Sequence, residues 1–167
     1  MKIYSFEPVI DERCSVLILG TMPGVMSLKK QQYYGFERNA FWRIIYALFD
    51  LEPDKDYSLR KAFLLSHGIA LWDVLKACER ESSSDSDIKN PEPNDFASLF
   101  QCYPAIRHVC FNGGPAARLY NRFVKRRGVG DMIQDFQILP STSPAYTIPF
   151  EKKLEQWKVI YGAWHDT

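Results

Sequence analysis

Four apolar runs of this chain end in, or carry, residues able to hold a polar ligand. Gly20-Thr21-Met22-Pro23-Gly24 closes the run Ser15–Gly20, and Trp72-Asp73 falls inside the run Gly68–Val74. Asn112-Gly113-Gly114-Pro115 follows His108, and Pro140-Ser141-Thr142-Ser143-Pro144-Ala145 closes the run that starts at Asp135. Small residues let backbone amides approach a ligand closely, and hydroxyls can bond phosphate oxygens. None of the four is a P-loop or a dinucleotide fingerprint, because the G-K-[ST] and G-x-G-x-x-G spacings are absent. A nucleophile–base–acid triad cannot be assembled either. His67, His108 and His165 fall at a helix end, a strand start and the C-terminus. A fifth cluster, Gln31 to Trp42, combines aromatic residues with the amide of Asn39 at a helix start. Asn39 is also suited to capping the helix that begins at Ala40-Phe41-Trp42.

These residues need elements to position them. The four apolar runs lack strict alternation and read as strands buried on both faces. Helical spacing recurs between them, over Ala40–Phe49, Tyr57–His67, Asn94–Tyr103, Pro115–Arg127 and Phe150–Trp164. Gly68 is placed to stop the second helix, and Pro115 suits a first helical turn. Strands alternating with helices predict a parallel sheet with helices on both faces. In such sheets ligands bind beyond the carboxyl ends of the strands, where the four motifs fall. Glu81–Asn94 (ESSSDSDIKNPEPN) breaks the rhythm and reads as a long polar loop, either functional or a solvated excursion.

The chain has 167 residues, the length of one domain, predicted to span 1–167. Apolar residues at 46% and charged residues at 25% are ordinary globular values, which excludes disorder, collagen and coiled coil. Twenty-one Lys and Arg against 20 Asp and Glu leave a net charge of +1, so a nucleic-acid site must be a local patch. Lys29-Lys30, beside the first motif, and Lys125-Arg126-Arg127 are the candidate phosphate contacts. The latter cluster equally suits a helix C-terminus. No apolar run approaches the length of a signal peptide core or a membrane span. Cys14, Cys78, Cys102 and Cys110 have no C-x-x-C spacing and read as buried thiols of a reducing cytoplasm.

The motifs GTMPG, YYGFERNAFWRIIY, GIALWDV, SSSDSDI, FNGG and LPSTSPA, in that order from about Ser15 to about Ile148, resemble the uracil-DNA glycosylase superfamily. The resemblance is closest to the hypoxanthine-DNA glycosylase branch, with the mismatch-specific uracil glycosylases next. It implies a three-layer αβα sandwich around a four-stranded, mainly parallel sheet. It implies hydrolysis of the N-glycosidic bond of a deaminated base in double-stranded DNA by a monomer, with no cofactor and no metal. The target atom is inaccessible in a duplex, so the nucleotide must be flipped out.

Residue by residue the resemblance carries over unevenly. Many superfamily members have Asp or Asn at the third position of the first motif to position water; here that position is Met22. Asn39 then becomes the catalytic residue by resemblance. Its amide cannot deprotonate water but can orient it or donate to the substrate. Tyr34 falls where relatives stack a ring on the flipped base. Asp73 replaces an Asn that reads the base edge; an ionised Asp73 accepts a hydrogen bond, and a protonated one donates. A plain alternative makes Asp73 the N-cap of a helix over Val74–Cys78. Asn112 reads the base or a phosphate, or serves only as turn chemistry. Family members often carry a His in the last motif, and this sequence has none. Ser141, Thr142 and Ser143 would support phosphate or the departing base, and Ala145-Tyr146 would fill the hole left by flipping. Nothing implies a Schiff-base lysine, so the expectation is a monofunctional glycosylase of hypoxanthine first and uracil second. The alternatives are a G·U or G·T mismatch glycosylase, a non-catalytic nucleic-acid-binding module, and a domain for a small metabolite.

Overall fold

The computed structural model describes residues 1–165, with side chains through residue 163, so the His165 side chain lies outside the described residues. Along the chain run β1 (Lys2–Tyr4), β2 (Val16–Gly20), α1 (Val25–Lys30), α2 (Phe41–Ala47), α3 (Tyr57–Ser66), β3 (Ile69–Asp73) and β4 (Leu75–Glu79). They are followed by β5 (Lys89–Pro93), α4 (Phe96–Cys102), β6 (His108–Asn112), α5 (Gly114–Phe123), β7 (Asp135–Leu139) and α6 (Phe150–His165). The four predicted strands form one parallel sheet in the order β3-β2-β6-β7. Residues alternate between its faces, as strand geometry requires. Leu17, Leu19, Ala70, Trp72, Val109 and Phe111 pack under α4 and α5, through Phe96, Leu99, Phe100, Ala116 and Tyr120. Val16, Ile18, Ile69, Leu71 and Cys110 pack under α2, α3 and α6, through Phe41, Ile45, Leu64, Trp157 and Ile160. The result is the expected αβα layering.

The register of this sheet builds the site. Gly20 lies opposite Asp73, Leu19 opposite Phe111, and Asn112 opposite Leu139. The four carboxyl ends therefore stop level with one another, and the residues that follow them form a single rim.

A second sheet, β1-β4-β5, is antiparallel and departs from the sequence reading. Val74–Cys78 is not a helix: Leu75–Glu79 is strand β4, pairing with Lys2–Tyr4 on one side and β5 on the other. Pairing with segments distant in sequence overrides the local pattern, so Asp73 is no helix cap. The polar stretch Glu81–Asn94 is also more ordered than a loop. It contains a 3-10 turn at Asp85–Asp87 and strand β5. Pro91 and Pro93 are tolerated because β5 is an edge strand. Strand β7 is the other exception to full burial, an edge strand on which Ile138 is 64% exposed. Helix α5 ends at Phe123, and Lys125–Arg127 form a separate 3-10 turn closed by Gly128 at φ 75°. Three of the cysteines are buried as expected, whereas Cys102 is exposed. No described helix is long and apolar enough to cross a membrane.

Candidate active site

A cleft of about 650 Å³ opens beyond the carboxyl rim. Among the residues singled out from the sequence, Met22, Tyr34, Asn39, Asp73, Asn112, Ser141, Thr142, Ser143 and Tyr146 all line it. Lys29 and Lys30 do not. Lys29 is exposed on α1, and the Lys30 ammonium donates to the Gly35 carbonyl at 2.8 Å, which braces the aromatic turn rather than facing the cleft.

Asp73 is buried at the floor, with only 4% of its surface exposed. A Cβ on Gly20 would lie 2.7 Å from its Oδ1 and 3.0 Å from the Tyr34 hydroxyl, so only glycine fits there. Its Oδ2 is buried without a hydrogen bond among the described residues. Desolvation by burial, reinforced by the Asp85 charge and opposed by Arg80, pushes the Asp73 pKa up to about 7. A carboxyl in that state is available as a donor near neutral pH.

Tyr34 holds a left-handed backbone, φ 53°, a conformation that costs a non-glycine residue about 1–3 kcal/mol. Its surroundings enforce it. The Ser27 hydroxyl accepts from Gly35 N, and Trp42 Nε1 donates to the Tyr33 carbonyl. The Tyr34 ring stacks on Phe41 at 4.0 Å between centroids, with 18° between planes. Its hydroxyl lies beside Asn112, forms no hydrogen bond of normal geometry among the described residues, and stays protonated because burial, and then the Asp73 carboxyl, oppose ionisation.

Asn39 Oδ1 accepts the Phe41 backbone N–H at 2.9 Å. The amide thus caps the start of α2 from one residue ahead of the N-cap position, Ala40. This contact fixes which way the amide points. Nδ2 makes no hydrogen bond among the described residues, and Oδ1 keeps a second lone pair. The capping and cleft-facing roles coexist.

The last motif is held rigidly. The Asn112 side chain accepts from Thr142 N and donates to Thr142 Oγ1, both at 2.9 Å. Ala40 N donates to the Thr142 carbonyl, which joins this loop to the start of α2. Ser141 and Ser143 hydroxyls accept from Ser143 N and Ala145 N, and Tyr146 stands at the lip, 46% exposed. Sequence reasoning missed Lys153. It is buried on α6, donates to the Ser143 carbonyl at 3.0 Å, and has its pKa held down by burial and by Arg43.

The polar stretch that the sequence left as either functional or a solvated excursion supplies a wall of the cleft through residues 83–85, none of which was singled out. Ser83 Oγ accepts from Val25 N at the start of α1, and Thr21 Oγ1 donates to Asp85 Oδ1 at 2.7 Å. Behind them, Arg80 is buried and donates to the Pro23 carbonyl. Among the described residues, no group of three or more His, Cys, Asp or Glu is placed to hold a metal ion.

The sequence profile of the Uracil DNA glycosylase superfamily matches residues 7–164. The chain belongs to this superfamily. Within it, a protein named hypoxanthine DNA glycosylase from Methanosarcina acetivorans is 38% identical over 93% of this chain and 96% of its own length. One of the same name from Methanosarcina barkeri is 36% identical over 94% and 96%. A solution structure described as a candidate uracil DNA glycosylase from M. acetivorans superposes with a TM-score of 0.83 at 34% identity, covering 99% of both chains. The fold is therefore shared with that structure over nearly the whole length. In this superfamily member, Met22 sits 7% exposed against the apolar core and lines the cleft as a thioether wall. It offers no useful acceptor for a water.

Proposed function

We propose that this chain is a monofunctional DNA glycosylase that hydrolyses the N-glycosidic bond of deaminated bases in duplex DNA, hypoxanthine foremost. The observation that carries the reading is the convergence of the Asn39 amide, the Tyr34 ring and the buried Asp73 carboxyl on one cleft. The names of both Methanosarcina relatives support hypoxanthine as the base. The reading treats residues 1–167 as one cytoplasmic, monomeric unit working without cofactor or metal.

The flipped nucleotide enters the cleft with its base against the Tyr34 face that Phe41 leaves free. Stacking of this kind is worth about 1–3 kcal/mol per base. Asn39 places a water against C1′ through the free lone pair of Oδ1, or steadies the sugar through Nδ2. Water oxygen bonds to C1′ as the C1′–N9 bond breaks, and the water's proton leaves for solvent or the departing base. Charge grows on the base during this step, and neutral Asp73 donates a hydrogen bond to it. Placement and electrostatics, rather than proton abstraction by the amide, lower the barrier. Ser141 and Ser143 hold the flanking backbone, with the buried Thr142 clamped behind them by Asn112. Tyr146 occupies the vacated stack, and Lys29 contributes a phosphate contact.

Single-turnover excision on duplexes carrying hypoxanthine, uracil, xanthine or a G·T mismatch tests this directly. Abasic product at hypoxanthine, reduced about 10²–10³-fold in Asn39→Ala, is expected. Cleavage mainly at uracil would move the chain to the mismatch branch. Salt-sensitive binding without product would make it a recognition module.

A further inference from the structure

Asp85 lies on the same cleft as Asp73 but on a different element, the 3-10 turn after β4. Its Oδ1 accepts the Thr21 hydroxyl at 2.7 Å and lies 3.7 Å from Arg80 Nη1, whose side chain is 1% exposed. Its Oδ2 makes no hydrogen bond among the described residues, and the side chain is 39% exposed. One oxygen is anchored against a buried cation, and the other has no such anchor on a side chain that lines the cleft. Both contacts on Oδ1, a hydroxyl donor and a guanidinium, are those of a charged acceptor. Four of the five buried polar side-chain atoms that lack a hydrogen bond among the described residues are gathered at or behind this floor. They are Tyr34 Oη, Asp73 Oδ2, Arg80 Nε and Arg80 Nη1. Buried polar atoms are rarely left unpaired away from a functional site.

We propose that Asp85 is a second specificity-determining residue, and that Asp85 and Asp73 together read the lactam edge that deamination creates. Hypoxanthine presents a ring N–H beside a carbonyl. Asp85, as an ionised acceptor, takes the N–H, and Asp73, as a neutral acid, donates to the carbonyl oxygen. Burial and the nearby Asp85 charge are what keep the proton on Asp73. Adenine presents the reverse pattern, a ring nitrogen acceptor beside an amino donor. It would leave Asp85 facing a lone pair and the Asp73 proton facing another proton. Uracil also carries an N–H beside a carbonyl, whereas cytosine does not. The pair therefore separates hypoxanthine from adenine and uracil from cytosine; guanine and thymine carry the same edge, so the pair does not act against them. A site built to hydrogen-bond a donor discriminates strongly against an analogue that lacks it, because its own groups are then left unpaired.

The inference rests on the glycosylase reading above, and its test separates the two. Hypoxanthine and unsubstituted purine, which lacks both the N–H and the carbonyl, are placed in otherwise identical duplexes. Single-turnover excision and equilibrium binding are both measured for wild type, Asp85→Ala and Asp87→Ala. Asp87 lies on the same turn but outside the cleft. The expected result is a hypoxanthine-to-purine ratio that falls at least about tenfold in Asp85→Ala and stays within about twofold in Asp87→Ala. Asp85→Asn, whose amide can also donate, should raise excision of adenine relative to hypoxanthine. An Asp85→Ala variant that slows both bases by the same factor overturns the proposal, as does an Asp87→Ala variant that shifts the ratio equally. If wild type releases no base yet binds hypoxanthine duplexes selectively through Asp85, the inference stands and the catalytic reading falls. If wild type shows no preference in either measurement, the inference falls.

Discussion

Asp73 carries a pH dependence whose sign follows from its environment. Its pKa rises from 3.8 to about 7 on folding, so between those values the folded chain holds a proton that the unfolded chain has lost. Stability therefore falls as pH rises from about 4 to about 7 and levels off above. Denaturation in urea at pH 5 and pH 8 should show this slope in wild type and a much flatter one in Asp73→Asn. The catalytic consequence has the same sign. If neutral Asp73 is the donor to the departing base, single-turnover excision declines as pH passes upward through about 7, and that limb disappears in Asp73→Asn. A wild-type rate that is flat from pH 6 to pH 8.5 would remove Asp73 from the donor role. The residues that share the cleft were largely readable, because small and amide residues directly after apolar runs mark strand ends. Asp85 and Arg80 were not. They sit in or beside a polar run that looks solvated, and their partners, Thr21 and Pro23, lie some sixty residues earlier.

Asn112 shows how one side chain braces a site across two elements. Its side chain spans β6 and the loop after β7, meeting both the amide and the hydroxyl of Thr142. Asn112→Ala strands two polar groups of a residue that is 1% exposed, each unmet group costing about 1–3 kcal/mol. Denaturant titration should report that loss. Thr142→Val, which keeps the backbone bond and loses the hydroxyl, should show about half of it. Equal base preference in wild type and Thr142→Val would identify Asn112 as the clamp of this loop. At this scale the parallel sheet was legible because its strands are continuous apolar runs. The antiparallel sheet was not. Strands β1, β4 and β5 mix lysine, glutamate and proline with apolar residues, and their pairing joins the first residues of the chain to positions 77–79. No local pattern encodes that partnership.

The whole molecule places its polar groups at two opposite ends of one sheet. The cleft lies at the carboxyl rim, whereas His108 opens β6 and pairs with Asp135, the first residue of β7, at the amino edge. Gln137 and then His108 hold the Asp135 pKa below its ordinary value, so this pair supports the fold above the acid range and is lost as pH falls. His108→Gln should leave excision within about twofold of wild type while lowering stability by less than about 1 kcal/mol. A large rate loss would mean that strain at one edge of the sheet reaches the other. Level strand ends also explain why residues from such separate parts of the chain meet.

The contact between Gly20 and the Asp73 carboxylate constrains how a lineage with this site can change. A methyl group at position 20 would collide with the Asp73 oxygen at 2.7 Å and crowd the Tyr34 hydroxyl at 3.0 Å. Substitutions at the two positions are therefore ordered. Position 73 must first accept a smaller side chain before position 20 can leave glycine, and once position 20 has drifted, an acid at 73 cannot return. The acidic floor is thus easily lost and hard to regain, and descendants that keep Asp73 are held to glycine at the neighbouring strand end.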